Sequence, residues 1–214
     1  MRTLLVIALI AASVCCAQFL PFPGPGSKGS GAATTTYFGA VASTSTGTPI
    51  GTSLDDLTNF YVGLDTSAGA PYATCPGSGS KTLVSLAVYV ENAGASAGTA
   101  RVAIYGPVDG THDHTLIAQG SAAITVPSTS LSWVEHTAFV NSSGASIPTV
   151  TLTGGSTYQL VASATGGNGV SFGWGTAGAH NQFDSNNYTT GFPATIAFSG
   201  DQADEMPDIR AGVQ

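Results

Sequence analysis

Charged side chains are scarce in this sequence: 5 Lys or Arg and 12 Asp or Glu make up 8% of 214 residues, where soluble domains ordinarily carry about 25%. Gly, Ser, Thr and Ala stand in their place. That exchange disfavours helical bundles and suits short strands joined by tight turns. Positive charge is the rarest of all. Beyond Arg2 only Lys28, Lys81, Arg101 and Arg210 carry it, at scattered positions, on a chain of formal net charge −7. No basic patch follows from them, which argues against nucleic acid and anionic membranes as partners.

Long apolar runs are also missing, except one. Arg2 is followed by an apolar stretch from Leu4 to Val14, too short to span a bilayer and of the length of a secretory leader. Cys15 and Ala17 flank a cleavage point at the minus-three and minus-one positions, so the leader is read as 1–17 and the mature chain as Gln18 onward. Val14 and Cys15 are not the small residue that a lipoprotein site needs before its cysteine. The expectation is an exported protein that does not insert into a membrane. Two of the three cysteines, Cys15 and Cys16, lie in the leader. Cys75 then has no partner within the chain, and stability must come from a hydrophobic core. Its setting, Thr74-Cys75-Pro76-Gly77, is turn-like and suits a buried, inert thiol.

Residues 18–31, with Pro21, Pro23 and Pro25 among Gly and Ser, have no helical or strand period and read as a flexible segment. A single domain over 32–214 follows. Ser53 and Asp56 have the spacing of a capping box on a short helical turn. The remainder reads as strands. In Leu83–Val90, Val84, Leu86, Val88 and Val90 alternate with Ser85, Ala87 and Tyr89, so one face is core. Val102 and Ile104 alternate in the same way, and the Gly106-Pro107 pair ends that run. Further runs are 35–42, 60–64, 116–126, 133–140, 150–152, 158–164, 170–174, 195–198 and 209–213, which makes about ten strands. With no crossover helix a parallel sheet is disfavoured, and an antiparallel β-sandwich of jelly-roll type is predicted.

The order Leu83-Val84-Ser85-Leu86-Ala87-Val88-Tyr89-Val90, Ala103-Ile104-Tyr105, Leu116-Ile117-Ala118, Trp133 and Leu152-Thr153-Gly154-Gly155-Ser156-Thr157-Tyr158-Gln159-Leu160 resembles a secreted bacterial jelly-roll module. Such modules accompany enzymes, adhesins and surface or virion fibres, so the resemblance implies a carbohydrate-binding-like or surface accessory domain. It also implies that Trp133 lies in the core. Gln159 stands where the family carries an aromatic residue, which would weaken any ligand platform at that position.

Candidates for chemistry are few. In Asp109-Gly110-Thr111-His112-Asp113-His114 two histidines spaced i, i+2 on an extended segment point the same way and can share a metal ion, with Asp109 or Glu135 as an oxygen ligand. Gly106, His112 and His114 match part of the first metal motif of cupins. Gln119 stands where that motif wants Glu, however, and no second motif surrounds His180, which favours a solvated polar loop. The tail carboxylates Asp201, Asp204, Glu205 and Asp208 offer a structural Ca2+ site; no other cofactor is called for. No serine lies in a Gly-x-Ser-x-Gly elbow, and no spacing nominates a pair of carboxylates for glycoside hydrolysis.

The segment from Trp174 to Tyr188 combines aromatic faces with polar groups in Trp174, His180, Asn181, Gln182, Asp184, Asn186, Asn187 and Tyr188. Stacking and hydrogen bonding of that kind suit a neutral sugar. Trp174, His180, Asn181, Asp184, Asn187 and Tyr188 are the candidate ligand-binding residues; the bland alternative is a self-satisfied loop. Two sequons, Asn141-Ser142-Ser143 and Asn187-Tyr188-Thr189, matter only in a eukaryotic host. The favoured expectation is a non-catalytic, secreted binding or surface-structural module with polysaccharide as partner. Self-assembly into an extracellular fibre or envelope, and a small metalloprotein using His112 and His114, stay open.

Overall fold

The computed structural model describes residues 33–39, 45–46, 61–64, 74–93, 97–106, 114–126, 130–165, 170–175, 180–184, 188–196, 200–203 and 206–214, with backbone alone at 45–46, 61–64, 114, 165, 174–175, 180–184, 200–203 and 206–207. Contacts divide the chain into Met1–Ala33 and Thr34–Gln214, and the architecture is that of the second unit. The segments read as a leader (1–17) and a flexible stretch (18–31), and the capping-box turn expected at Ser53 and Asp56, lie outside the described residues.

Among the described residues there is no helix, and none therefore long and apolar enough to cross a membrane. The strands are β1 (Thr36–Gly39), β2 (Ser45–Thr46), β3 (Tyr61–Leu64), β4 (Ser80–Asn92), β5 (Gly98–Tyr105), β6 (His114–Gly120), β7 (Ile124–Val126), β8 (Ser132–His136) and β9 (Phe139–Val140). There follow β10 (Ser146–Ile147), β11 (Val150–Thr153), β12 (Gln159–Thr165), β13 (Val170–Gly175), β14 (His180–Asp184), β15 (Thr195–Ile196), β16 (Gly200–Ala203), β17 (Met206–Pro207) and β18 (Ile209–Val213). More strands form than the apolar runs predict. The run 116–126 breaks into β6 and β7, and 133–140 into β8 and β9. The short strands β2, β10, β14, β16 and β17 have no apolar alternation to announce them, because backbone pairing alone defines them.

All pairings are antiparallel and make two sheets, an antiparallel β-sandwich as composition and strand pattern predict. The first runs β1-β18-β4-β13-β17, with β8 and β11 also on β4 and β2 on β13; the second runs β10-β9-β6-β5-β12-β3-β14-β16, with β7 on β5 and β15 on β6. The long β4 organises the first sheet. Leu86 faces Ala211 of β18 on one side and His136 of β8 on the other.

Between the sheets lies the core: Leu83, Leu86, Val88 and Val90 of β4 meet Ala100, Val102 and Ile104 of β5, Leu160 and Ala162 of β12, and Phe172, Ile209 and Val213. Each fully buried aliphatic or phenyl side chain there contributes roughly 1.5–3 kcal/mol. Leu83, not Val84, takes the inward place at the start of β4, because the register slips there: Ser85 opposes Gly212 and Leu83 opposes Val213, leaving Val84 unopposed and half-buried. A β-bulge of this kind reverses the faces of every residue before it.

The segment Leu152 to Tyr158 joins β11 of the first sheet to β12 of the second by clamping onto the Cys75 turn. Cys75 N–H donates to the Ser156 carbonyl at 2.9 Å, Gly155 N–H to the Cys75 carbonyl at 2.8 Å and Gly154 N–H to the Gly79 carbonyl at 2.7 Å. Gly155 has φ +82°, and a Cβ on Gly154 would fall 2.8 Å from the Ser78 nitrogen. The glycine pair is therefore required by a left-handed turn and by backbone-to-backbone approach. Cys75 ends fully buried, and burial raises its thiol pKa above the ordinary value against the smaller pull of Lys81. Native protein should accordingly react with a maleimide or disulfide reagent no faster than it unfolds, with full labelling in urea; rapid native labelling would contradict this burial.

Candidate functional site

On the outer face of the first sheet, four large side chains lie over a floor of small ones. Alternation along β4 turns Ser85, Ala87 and Tyr89 away from the core, and along β8 it turns Trp133 and Glu135 the same way, opposite the buried Val134. Tyr89 pairs with Trp133 across the strands, their ring centroids 5.2 Å apart at 42°. Arg210 on β18 sits opposite Ala87, and its guanidinium carbon lies 3.9 Å from the Trp133 ring centre and 4.3 Å from that of Tyr37 on β1. Tyr37, Arg210, Trp133 and Tyr89 thus form a continuous ladder across β1, β18, β4 and β8.

Small residues make the ladder possible. A Cβ on Gly173 would meet Tyr89 Cδ1 at 2.5 Å, and one on Gly212 would meet the Ser85 hydroxyl at 2.6 Å and Tyr37 Cε1 at 3.0 Å. Ser85 and Ala87 are buried beneath the rings, whereas Tyr37 is 43% exposed and Tyr89 and Trp133 are half-buried. Each guanidinium-on-ring contact contributes roughly 0.5–1 kcal/mol at such a site. Among the described residues no ion pair or hydrogen bond engages this guanidinium, and its Nε is buried between the rings without a partner. The face therefore combines ring surface, a guanidinium seated against it and the exposed carboxylate of Glu135 beside them on β8.

The second sheet is different: its outer face carries a smaller apolar cluster of Ala103, Tyr105, Val161, Phe192 and Ile196, with Leu116 and Tyr188 against it. Residues 188–196 lie over this face and are pinned to it. The Gln119 amide accepts from Phe192 N–H at 2.8 Å and donates to the Asn141 carbonyl at 3.1 Å. The Tyr105 hydroxyl donates to the Pro193 carbonyl at 2.8 Å, and Tyr188 N–H donates to the Ser163 hydroxyl at 3.0 Å. Burial foremost, with Tyr188 beside it, holds the Tyr105 phenol far above its ordinary pKa.

Arg101, 5% exposed, donates from Nε to the Gly120 carbonyl at 2.7 Å and from Nη1 to the Thr189 carbonyl at 3.4 Å. Desolvation lowers its pKa. His136 is buried against Gly120 with no partner for Nε2. Its burial, with Arg101 adding repulsion, lowers its pKa to about 4, so the ring is neutral at pH 7.

The residues singled out from sequence are spread across this frame. Trp174 lies on β13 of the first sheet, its backbone opposite Pro207 and Ser45. His180, Asn181 and Asp184 lie on β14 of the second sheet, between β3 and β16, so the backbone that carries them is a strand and not a loop. Tyr188 stacks on Phe192, centroids 5.6 Å apart at 23°. Asn187 lies outside the described residues, as do Asp109, His112, Asp204 and Glu205. His114 opens β6 and its backbone pairs with Ile196; Asp201 is on β16 opposite Gln182. Asp208 is fully buried beside β13, its N–H donating to the Gly173 carbonyl at 2.8 Å. Among the described residues no three His, Cys, Asp or Glu side chains come together as a metal set.

One reading of a single residue is corrected. Trp133 is not in the core but half-buried on the ladder. Its phase with Glu135 was the available signal. Gln159 is fully buried, on the outer face of β12 with Val161 and Ser163, so that position is no solvent-facing platform. Gln119 is a pin for residues 188–196, both ends of its amide engaged within the fold. Tyr37, Tyr89 and Arg210 were missed, since each comes from a different strand. No family model, curated protein or solved structure matches this chain.

Proposed function

We propose that this protein is a non-catalytic, secreted module that binds polysaccharide on the outer face of its first sheet. The observation that carries this reading is the Tyr37–Arg210–Trp133–Tyr89 ladder, in which one exposed and two half-buried rings adjoin a guanidinium that has no ionic partner among the described residues. Monomeric proteins spend little surface on exposed aromatic side chains, and a contiguous set of them marks a contact face. Sugars are met by such faces through ring stacking, and direction comes from a few polar groups. The leader at 1–17 supports export. Repeated changes of sheet along the chain, from β4 to β5, β8 to β9, β11 to β12 and β13 to β14, support a jelly-roll arrangement of the sandwich.

A panel of immobilised and soluble polysaccharides tests the proposal. Retention should fall at least tenfold on Trp133→Ala, and further with Tyr37→Ala, while thermal stability changes little because both rings are partly solvated. Retention that survives Trp133→Ala but is lost on Trp174→Ala would move the site to the β13 end. No retention, with concentration-dependent mass growth in sedimentation, would replace the reading by self-assembly through the same face.

A further inference from the structure

The turn joining β9 to β10 carries the sequence Asn141-Ser142-Ser143, and its geometry suits covalent modification. Asn141 Oδ1 accepts from Ser143 N–H at 3.0 Å, from the Ser143 hydroxyl at 2.7 Å and from Ala145 N–H at 2.9 Å. Two backbone donors fix which end of the amide is oxygen. Nδ2 is left as the other end, and it makes no hydrogen bond. The Asn141 main chain is held as well, its N–H donating to Ala145 at 2.9 Å and its carbonyl accepting from Gly144 N–H at 3.0 Å and from Gln119. Ser142, Ser143, Gly144 and Ala145 are exposed, and Gly144 takes φ +81°. A group attached to Nδ2 would displace no hydrogen bond among the described residues.

We infer that Asn141 is an acceptor for an N-linked glycan when the chain passes through a compartment supplying an oligosaccharide on a polyprenyl diphosphate. Nδ2 attacks the anomeric carbon of the first sugar. A C–N bond forms and the C–O bond to the diphosphate breaks; the polyprenyl diphosphate leaves with the electron pair, and a base of the transferring enzyme takes the Nδ2 proton. No atom is oxidised or reduced. The Ser143 hydroxyl, already on the carboxamide, supplies the hydroxyl residue that the sequon requires. The second sequon offers less in the folded chain: Thr189, within residues 188–196, is 7% exposed, its carbonyl taken by Arg101 and the preceding Tyr188 held by Ser163. Asn141 is reachable both before and after folding.

The inference rests on the export reading, and the experiment separates the two. The full chain is expressed in a glycosylating eukaryotic secretion host, once with its own leader and once with a leader of established function. The secreted protein is treated with peptide N-glycosidase and mapped by mass spectrometry. A mobility shift on treatment, conversion of Asn141 to aspartate, and complete loss of the shift in both Asn141→Gln and Ser143→Ala are expected, with Asn187→Gln unchanged. Secreted protein with no shift, or a shift confined to Asn187, overturns the acceptor assignment under either leader. Export with the borrowed leader but not with its own overturns the export reading alone, and the borrowed-leader sample still decides Asn141.

Discussion

Replacing Gly120 by alanine should lower the unfolding free energy by about 3 kcal/mol, at the upper end of what overpacking a well-filled site costs. The added Cβ would fall inside the imidazole of His136, with Cε1 2.6 Å away and Nδ1 and Cγ nearer still. The ring has little room to retreat, being 3% exposed. Gly120 cannot retreat either, because its backbone is paired with Phe139 and its carbonyl receives the Arg101 Nε at 2.7 Å. A shift at Gly120 would loosen a buried cation that, among the described residues, is held by that carbonyl and the Thr189 carbonyl. Urea unfolding followed by fluorescence measures the loss, as a lower midpoint at unchanged slope. Combining Gly120→Ala with His136→Ala should recover at least about 1 kcal/mol relative to additivity, since the second change removes the obstacle to the first. A single-mutant loss below about 1 kcal/mol would mean that the ring and Gly120 are not packed together.

The same histidine should make the fold sensitive to mild acid. In the folded chain the His136 pKa is about 4, depressed first by burial and then by Arg101, whereas an unfolded histidine titrates near 6.5. The unfolded state therefore binds the extra proton first, and stability rises with pH wherever it does so. The contribution is fully present above about pH 6.5 and is lost as pH falls through the folded pKa. The drop is at most about 3 kcal/mol, from a shift of about 2.5 units at 1.36 kcal/mol each. Carboxylates also titrate near the lower end of that window, so the comparison is with His136→Asn, which retains them. The wild-type curve should fall more steeply than the variant's between pH 6.5 and 4 and run parallel to it below. Parallel curves throughout would show that His136 titrates normally and is not desolvated.

Much of the architecture was legible because alternation is local. Leu86, Val88 and Val90, then Val102 and Ile104, repeat every second residue, and a strand has only two faces. Few charges and many turn-forming residues led to the same answer, antiparallel strands with short links. The docking of Gly154 and Gly155 on the Cys75 turn was not legible, because it joins segments distant in the chain.

The candidate site was less legible, because a face is a property of several strands at once. Tyr37, Tyr89, Trp133 and Arg210 belong to four segments with no common spacing, and only pairing through β4 lays them side by side. A register slip opposite Val84 exchanged Leu83 for Val84 in the core, an outcome that depends on Gly212 and Val213 far along the chain. Polar runs such as His180–Asp184 became strands because neighbouring backbones offered partners. Gln119 went inside because residues 188–196 lie over its sheet.

By itself, then, the sequence determined the fold class and the inward residues of the longest strands, through composition and a two-residue period that each segment carries alone. Only the tertiary structure decided which outward residues meet, which polar groups are buried and which sequon presents its hydroxyl residue at the surface. Those outcomes turn on register and on what packs over each face, and both join residues distant in the chain.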